Sequence, residues 1–152
     1  MITIRWKNLE DTKRFSSLIA NCVFEGFLIL ASGDLGAGKT RFAKELAINL
    51  GVRDNVTSPT FNILKTYTGD KCDFYHIDAY RLEGTKQDLG LEEFIEGDGV
   101  CLVEWSEYLE YLLPQDYLKL DITIIDNEER LVKVSGVGSK YEFIEKEIER
   151  LW

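Results

Sequence analysis

The run GDLGAGKT at residues 33–40 constrains this chain more than any other feature. It fits the pattern G-x-x-x-x-G-K-[ST], a loop whose backbone N–H groups close around a phosphate. Such a loop needs a buried strand before it and a helix after it, because the positive end of the helix must point at the same anion. Both neighbours are present. The apolar residues 27–31 read as a buried strand. Residues 41–50 carry Phe42, Leu46 and Leu50 at helical spacing and stop at Gly51. In this setting Leu35, Gly36, Ala37 and Gly38 supply the cradle, Lys39 reaches the β- and γ-phosphates, and the Thr40 hydroxyl is placed to ligate Mg²⁺.

Composition narrows the partners. With 152 residues the chain suits one domain, residues 1–152, large enough to bury a core. Its net charge of −9 repels nucleic-acid phosphates, so tight direct binding of DNA or RNA is disfavoured. Work on a nucleic acid would go through a partner that carries the positive charge. The three cysteines, Cys22, Cys72 and Cys101, are odd in number and widely spaced. They read as free thiols in a reducing cytoplasm. Neither a leader's apolar segment nor a run long enough to span a bilayer is found, which argues against a membrane role.

Periodicity supplies the remaining elements. Ile2, Ile4 and Trp6 alternate with polar residues, as in a half-buried strand. Asn8 suits the N-cap of a helix over residues 9–23, with Phe15, Leu18, Ile19, Cys22 and Val23 on its apolar stripe. Residues 57–61 form a polar, Pro-interrupted loop. Residues 62–68 and 72–77 read as strands joined by a turn at 69–71. Residues 78–90 look irregular with a short helix, and 91–95 a second one. Residues 100–103 form a short apolar run typical of a buried parallel strand. Residues 106–113 read as a helix stopped by Pro114. Residues 118–125 and 131–137 alternate around Asp126-Asn127 as a hairpin, and Ser139 is placed to cap a last helix bearing Ile144, Ile148 and Leu151. The sum is an α/β sandwich with a mixed, partly parallel sheet flanked by helices, of the P-loop NTPase type.

A phosphate loop also needs a carboxylate for Mg²⁺ at the end of a neighbouring buried strand. Glu104 follows the apolar run 100–103 directly and is the favoured metal-side acid. Asp78, at the end of 74–77, is placed to orient an attacking water or to join the Mg²⁺ shell. Ser58 and Thr60 lie where a nucleotide-sensing loop falls in such proteins. His76, the only histidine, suits a structural hydrogen bond near Asp78 better than catalysis. For Arg81 a salt bridge to a nearby acid outweighs a role in steadying transition-state charge. Trp105 fits the core, the side of a nucleotide or a partner surface. No guanine-reading N-K-x-D is present, which favours adenine. Arg130 and the start of the first helix, around Leu9, are base or ribose contacts to consider.

These pieces together resemble the TsaE family, the bacterial ATPase subunit of the machinery that makes threonylcarbamoyladenosine in tRNA. The resemblance is carried by GDLGAGKT at 33–40, SPTF at 58–61, HIDAYRL at 76–82 and LVEWSE at 102–107, in that order, and extends over about residues 8–137. Family members often have Pro after the Glu-Trp pair, where this chain has Ser106. The resemblance implies a cytoplasmic protein that binds ATP and Mg²⁺. Its partners would be the threonylcarbamoyl-transferase catalytic subunit and that subunit's inactive paralogue, with tRNA held mainly by them. Hydrolysis would support turnover of the transferase, not the transfer itself. Lys39 would contact phosphates, Thr40 and Glu104 would serve Mg²⁺, and Asp78 and Thr60 would belong to the hydrolytic or sensing site. A small-molecule kinase is the alternative for such a loop. It should carry an Arg-rich lid, whereas the arginines here, at 5, 14, 41, 53, 81, 130 and 150, are scattered. A nucleotide-binding scaffold without hydrolysis should lack the acids that Asp78 and Glu104 provide.

Overall fold

In the computed structural model, which describes residues 1–152, the apolar run before the GDLGAGKT loop becomes β2 (Leu28–Ser32), the centre of a seven-stranded sheet. β5 (Val100–Glu104) and β6 (Tyr117–Ile124) flank β2 in parallel, and β4 (Phe74–Asp78) extends the parallel core beyond β5. Antiparallel strands complete both sides. β3 (Leu64–Tyr67) pairs with β4, while β7 (Arg130–Val137) pairs with β6 and β1 (Ile2–Trp6) with β7. Across the sheet the order is β1-β7-β6-β2-β5-β4-β3. Strands β2 and β5 are covered on both faces, so their sequences are apolar runs; β6 alternates because one of its faces is open.

Three full helices cover one face: α1 (Leu9–Ala20), α2 (Lys39–Asn49) and α4 (Ser139–Leu151). Their Phe15, Ile19, Phe42, Leu46, Ile144 and Ile148 pack with Ile29, Ala31, Leu102, Leu118, Leu120 and Val132 of the sheet. Trp6, Phe15 and Phe42 form an aromatic cluster with ring centroids 5.3–6.1 Å apart. The other face is covered only over β2, β5 and β4. There α3 (Glu92–Ile95) and 3-10 turns at Tyr80–Leu82, Ser106–Tyr108 and Glu110–Leu112 bring Leu82, Ile95 and Leu109 onto Leu28, Leu30, Ile77, Cys101 and Val103. No helix is long and apolar enough to cross a membrane. All three cysteines are free, and burial pushes the Cys101 thiol up.

Four local details differ from the sequence reading. Helix α1 ends at Ala20, not residue 23; Asn8 caps it as expected, accepting from the Asp11 N–H at 3.2 Å. Cys22 and Val23 still pack against the core from the turn beyond the helix. Helix α2 starts at Lys39, because Gly38 at φ 109° turns the chain into it inside the motif. Residues 106–113 form two 3-10 turns instead of one helix, entered from Trp105 at φ 57° and interrupted at Leu109. Ser139 lies inside α4; the cap position belongs to Gly138 and has no side-chain hydrogen bond, and Leu151 is exposed while Ile144 and Ile148 are buried.

Candidate functional site

The parallel strands end on one side of the sheet, the usual place for ligands in α/β folds. There the loop at residues 33–38 leaves β2, Asp78 closes β4 and Glu104 closes β5. Glu104 is in register with Ala31 on one side and with Asp78 on the other. Glycines set the shape of the loop. A Cβ on Gly33 would lie 2.5 Å from the Ile122 carbonyl oxygen, so no side chain fits there. Gly36 and Gly38 have φ of 81° and 109°, left-handed conformations that favour glycine. Ala37 is buried beneath the loop, whereas Leu35 at its tip is 97 % exposed.

Lys39 runs back along the loop. Its Nζ donates to the Gly33 carbonyl at 2.5 Å, lies 4.0 Å from Glu104 Oε1 and sits 4.8 Å from the Trp105 ring centroid. Glu104 Oε2 accepts from His76 Nε2 at 2.7 Å. His76 is fully buried, and its Nδ1 has no partner. Asp78 is held from the opposite side. Its Oδ2 accepts from Thr60 Oγ1 at 2.9 Å and its Oδ1 from the Tyr80 N–H at 3.0 Å. Because the Thr60 proton goes to Asp78, the Ser58 hydroxyl, 2.7 Å away, donates to Thr60. Arg81 Nε donates to the Thr60 carbonyl at 3.1 Å, with its guanidinium 4.6 Å above the Phe61 ring.

A cavity of about 600 Å³ is bounded by the loop, Lys39, Thr40, Thr60, Asp78, Glu104 and Trp105. A second cavity of about 320 Å³ lies across the loop, among Asn8, Leu9, Thr12, Arg41 and Arg130. The two share Gly36, Gly38 and Arg41. Arg130 braces this side. Its Nε donates to the Ala37 carbonyl at 2.8 Å and Nη2 to Gly36 at 3.3 Å, while Nη1 reaches the carbonyls of Asp126, Asn127 and Glu129 in the β6–β7 turn.

The sequence profile of the family described as "Threonylcarbamoyl adenosine biosynthesis protein TsaE" matches residues 6–132. This chain belongs to the TsaE family. The matched segment holds the loop, both strand-end acids and Arg130, and leaves helix α4 of this TsaE-family chain outside. A curated relative, the tRNA threonylcarbamoyladenosine biosynthesis protein TsaE of Bacillus subtilis (strain 168), is 41 % identical over 152 aligned residues, covering 99 % of this chain and 96 % of the relative. The protein of the same name from Rickettsia prowazekii (strain Madrid E) is 35 % identical over 138 residues, or 89 % and 95 % of the two chains. A solved structure described as Bacillus subtilis YdiB superposes with a TM-score of 0.80 at 37 % identity, over 98 % of this chain and 94 % of that one.

In this TsaE-family fold Lys39, Thr40, Thr60, Asp78 and Glu104 share one cavity with Leu35, Gly36 and Gly38; Leu9, Arg130 and the buried Ala37 line the second. His76 makes a structural hydrogen bond near Asp78, as expected, and its partner is Glu104, in register with Asp78 on β5. One neighbouring expectation is corrected. Arg81 makes no salt bridge; it stacks on Phe61 and holds a carbonyl instead. Trp105 lies against the cavity beside Lys39. The sequence reading gave no role to Arg41 or Tyr80, which also line the main cavity. Their signal is positional only: one follows the motif at the helix start, the other follows a strand-end acid by two residues.

Proposed function

We propose that this TsaE-family chain is a Mg²⁺-dependent ATPase that supports turnover of the enzyme forming threonylcarbamoyladenosine in tRNA. It would act in the cytoplasm, as its free thiols suit, with the threonylcarbamoyl-transferase catalytic subunit and that subunit's inactive paralogue. The net charge of −9 suits a subunit whose tRNA is held by those partners. The observation that carries the reading is the convergence of a glycine-shaped loop, a helix N-terminus, Lys39, Thr40 and two buried carboxylates on one cavity. Fold alone would not assign this chemistry.

The residues present fit Mg²⁺. That ion takes oxygen ligands and usually binds one or two carboxylates beside substrate phosphates, not a dense carboxylate cluster. Thr40 and Glu104 supply the oxygens, and Glu104 Oε1 accepts no hydrogen bond from the protein. When bound, Mg²⁺ would neutralise charge on the β- and γ-phosphate oxygens. Lys39 adds a fixed positive charge, and the loop amides orient the phosphates. Asp78, steadied by Thr60, would align the attacking water and accept its proton. The phosphates belong in the larger cavity. Adenine and ribose belong across the loop with Leu9 and Arg130. Since each guanidinium nitrogen of Arg130 already donates to a carbonyl, its flat face is what it chiefly offers a base.

Steady-state ATP turnover by the purified chain tests this, first alone, then with the two partner subunits, with and without tRNA. A slow basal rate that rises sharply with the partners is expected. A rate indifferent to them would undercut the reading, and a search for a phosphoryl acceptor would follow.

A further inference from the structure

His76 takes no part in the reaction proposed above, yet it occupies one of the most enclosed places in the fold. Its side chain is fully buried on β4, two residues from Phe74 on the same face and in register with Leu102 of β5. The Phe74 ring lies beside it, with centroids 5.9 Å apart. An aliphatic or aromatic side chain would fill this place without burying a polar group. Moreover, the imidazole is only half satisfied, because Nδ1 has no partner. A buried polar atom left unpaired is a cost that the fold must offset elsewhere. Against that cost stands a single hydrogen bond, 2.7 Å long, to Glu104 Oε2. A carboxylate accepts only, so Nε2 is the donor of this bond, and Nδ1 is left without a partner.

That bond decides how Glu104 is presented. Three rotatable bonds separate its carboxylate from the backbone. Tying Oε2 toward the core leaves Oε1 on the cavity side, 4.0 Å from Lys39 Nζ. Ligating side chains are commonly held this way by outer partners that fix their orientation.

We propose that His76 is the positioning residue for the metal-side carboxylate: its Nε2–H holds Glu104 so that Oε1 faces Lys39 and the cavity shared with Thr40. This rests on the reading of the cavity as a Mg²⁺–ATP site, and the test separates the two. Binding of a fluorescent, non-hydrolysable ATP analogue is titrated with Mg²⁺ for the wild type, His76→Phe, His76→Gln, Glu104→Ala and the double variant His76→Phe/Glu104→Ala. Thermal unfolding of each is followed in parallel. His76→Phe keeps a ring beside Phe74 and removes the donor; His76→Gln keeps an N–H at similar reach.

We expect His76→Phe to raise the Mg²⁺ concentration at half effect about tenfold. Mg²⁺-free binding should stay within about twofold of wild type, and His76→Gln should recover most of the loss. On the Glu104→Ala background the histidine substitution should add nothing, because its effect runs through that carboxylate. A folded His76→Phe protein with wild-type Mg²⁺ dependence would overturn the inference alone, as would an equal loss with and without Glu104. Should His76→Phe fail to fold, His76→Leu carries the same cycle. A wild-type chain that shows no Mg²⁺-dependent binding would overturn the functional reading and the inference with it.

Discussion

Asp78 and Glu104 end adjacent parallel strands, face one cavity and are almost equally enclosed, at 5 % and 4 % exposure, but opposite parts of the molecule hold them. Glu104 is gripped from the core by His76, a residue of the sheet itself. Asp78 is gripped by the loop above it through the Thr60 hydroxyl, with Ser58 behind Thr60, and by the turn that follows β4 through the Tyr80 N–H. A carboxylate anchored in the sheet does not depend on a loop for its orientation, which suits the metal side proposed for Glu104. One anchored to a loop follows that loop. The loop is also strained: Ile63, β-branched, sits at φ 68°, and its carbonyl accepts from the Asp78 N–H at 2.8 Å. Such strain persists only where the surroundings impose it, often at switching segments. The two acids therefore differ in what fixes them: a buried imidazole of the sheet at β5, and a loop hydroxyl with a turn N–H at β4.

The comparison can be broken in order of expected effect. Lys39→Ala removes the charge common to both halves. ATP turnover should fall by about a thousandfold with an unchanged circular dichroism spectrum. Complementation of a deletion strain by this variant at wild-type level would remove the site from consideration. Glu104→Ala comes next, with Mg²⁺-dependent hydrolysis reduced by several hundredfold, on the order of a lost transition-state contact. Mg²⁺-free nucleotide binding should barely change, and an unchanged hydrolysis rate would transfer the metal role to Asp78. For Asp78→Asn we expect kcat to drop by about a hundredfold, the scale of a lost general base, with the Mg²⁺ midpoint in place. Thr60→Ala, which removes one hydrogen bond to a charged group, should cost about tenfold in kcat, and Thr60→Ser should restore most of it. Equal rates in those two variants would show that the hydroxyl does not steer Asp78.

Much of this was legible in the sequence because it is contiguous there. The strand, loop and helix around residues 33–40 carry their own mechanism, and the helix begins two residues early only because Gly38 does more than fill a turn. The run 100–103 announced a strand buried on both faces, and the alternation on either side of Asp126-Asn127 announced the β6–β7 hairpin. Contacts between strands were not legible. The sequence predicts a hydrogen bond of His76 near Asp78 but no partner for it; the register of β4 against β5 puts Glu104 within reach of the imidazole. Residues 106–113 have helical spacing, yet the left-handed Trp105 ahead of them and the break at Leu109 limit them to 3-10 turns. Arg130 shows the same limit. Its place beside the loop is set by a hairpin turn folding back over Gly36 and Ala37, which no local pattern encodes.

The most direct test of the division between the two acids is calorimetric titration of ATP into the wild type, Glu104→Ala and Asp78→Asn, each with and without Mg²⁺. We expect Mg²⁺ to tighten binding in the wild type and in Asp78→Asn but to lose that effect in Glu104→Ala. A Mg²⁺ effect retained in Glu104→Ala and lost in Asp78→Asn would contradict the assignment, placing the metal with the acid held by the loop and not with the one held by the sheet.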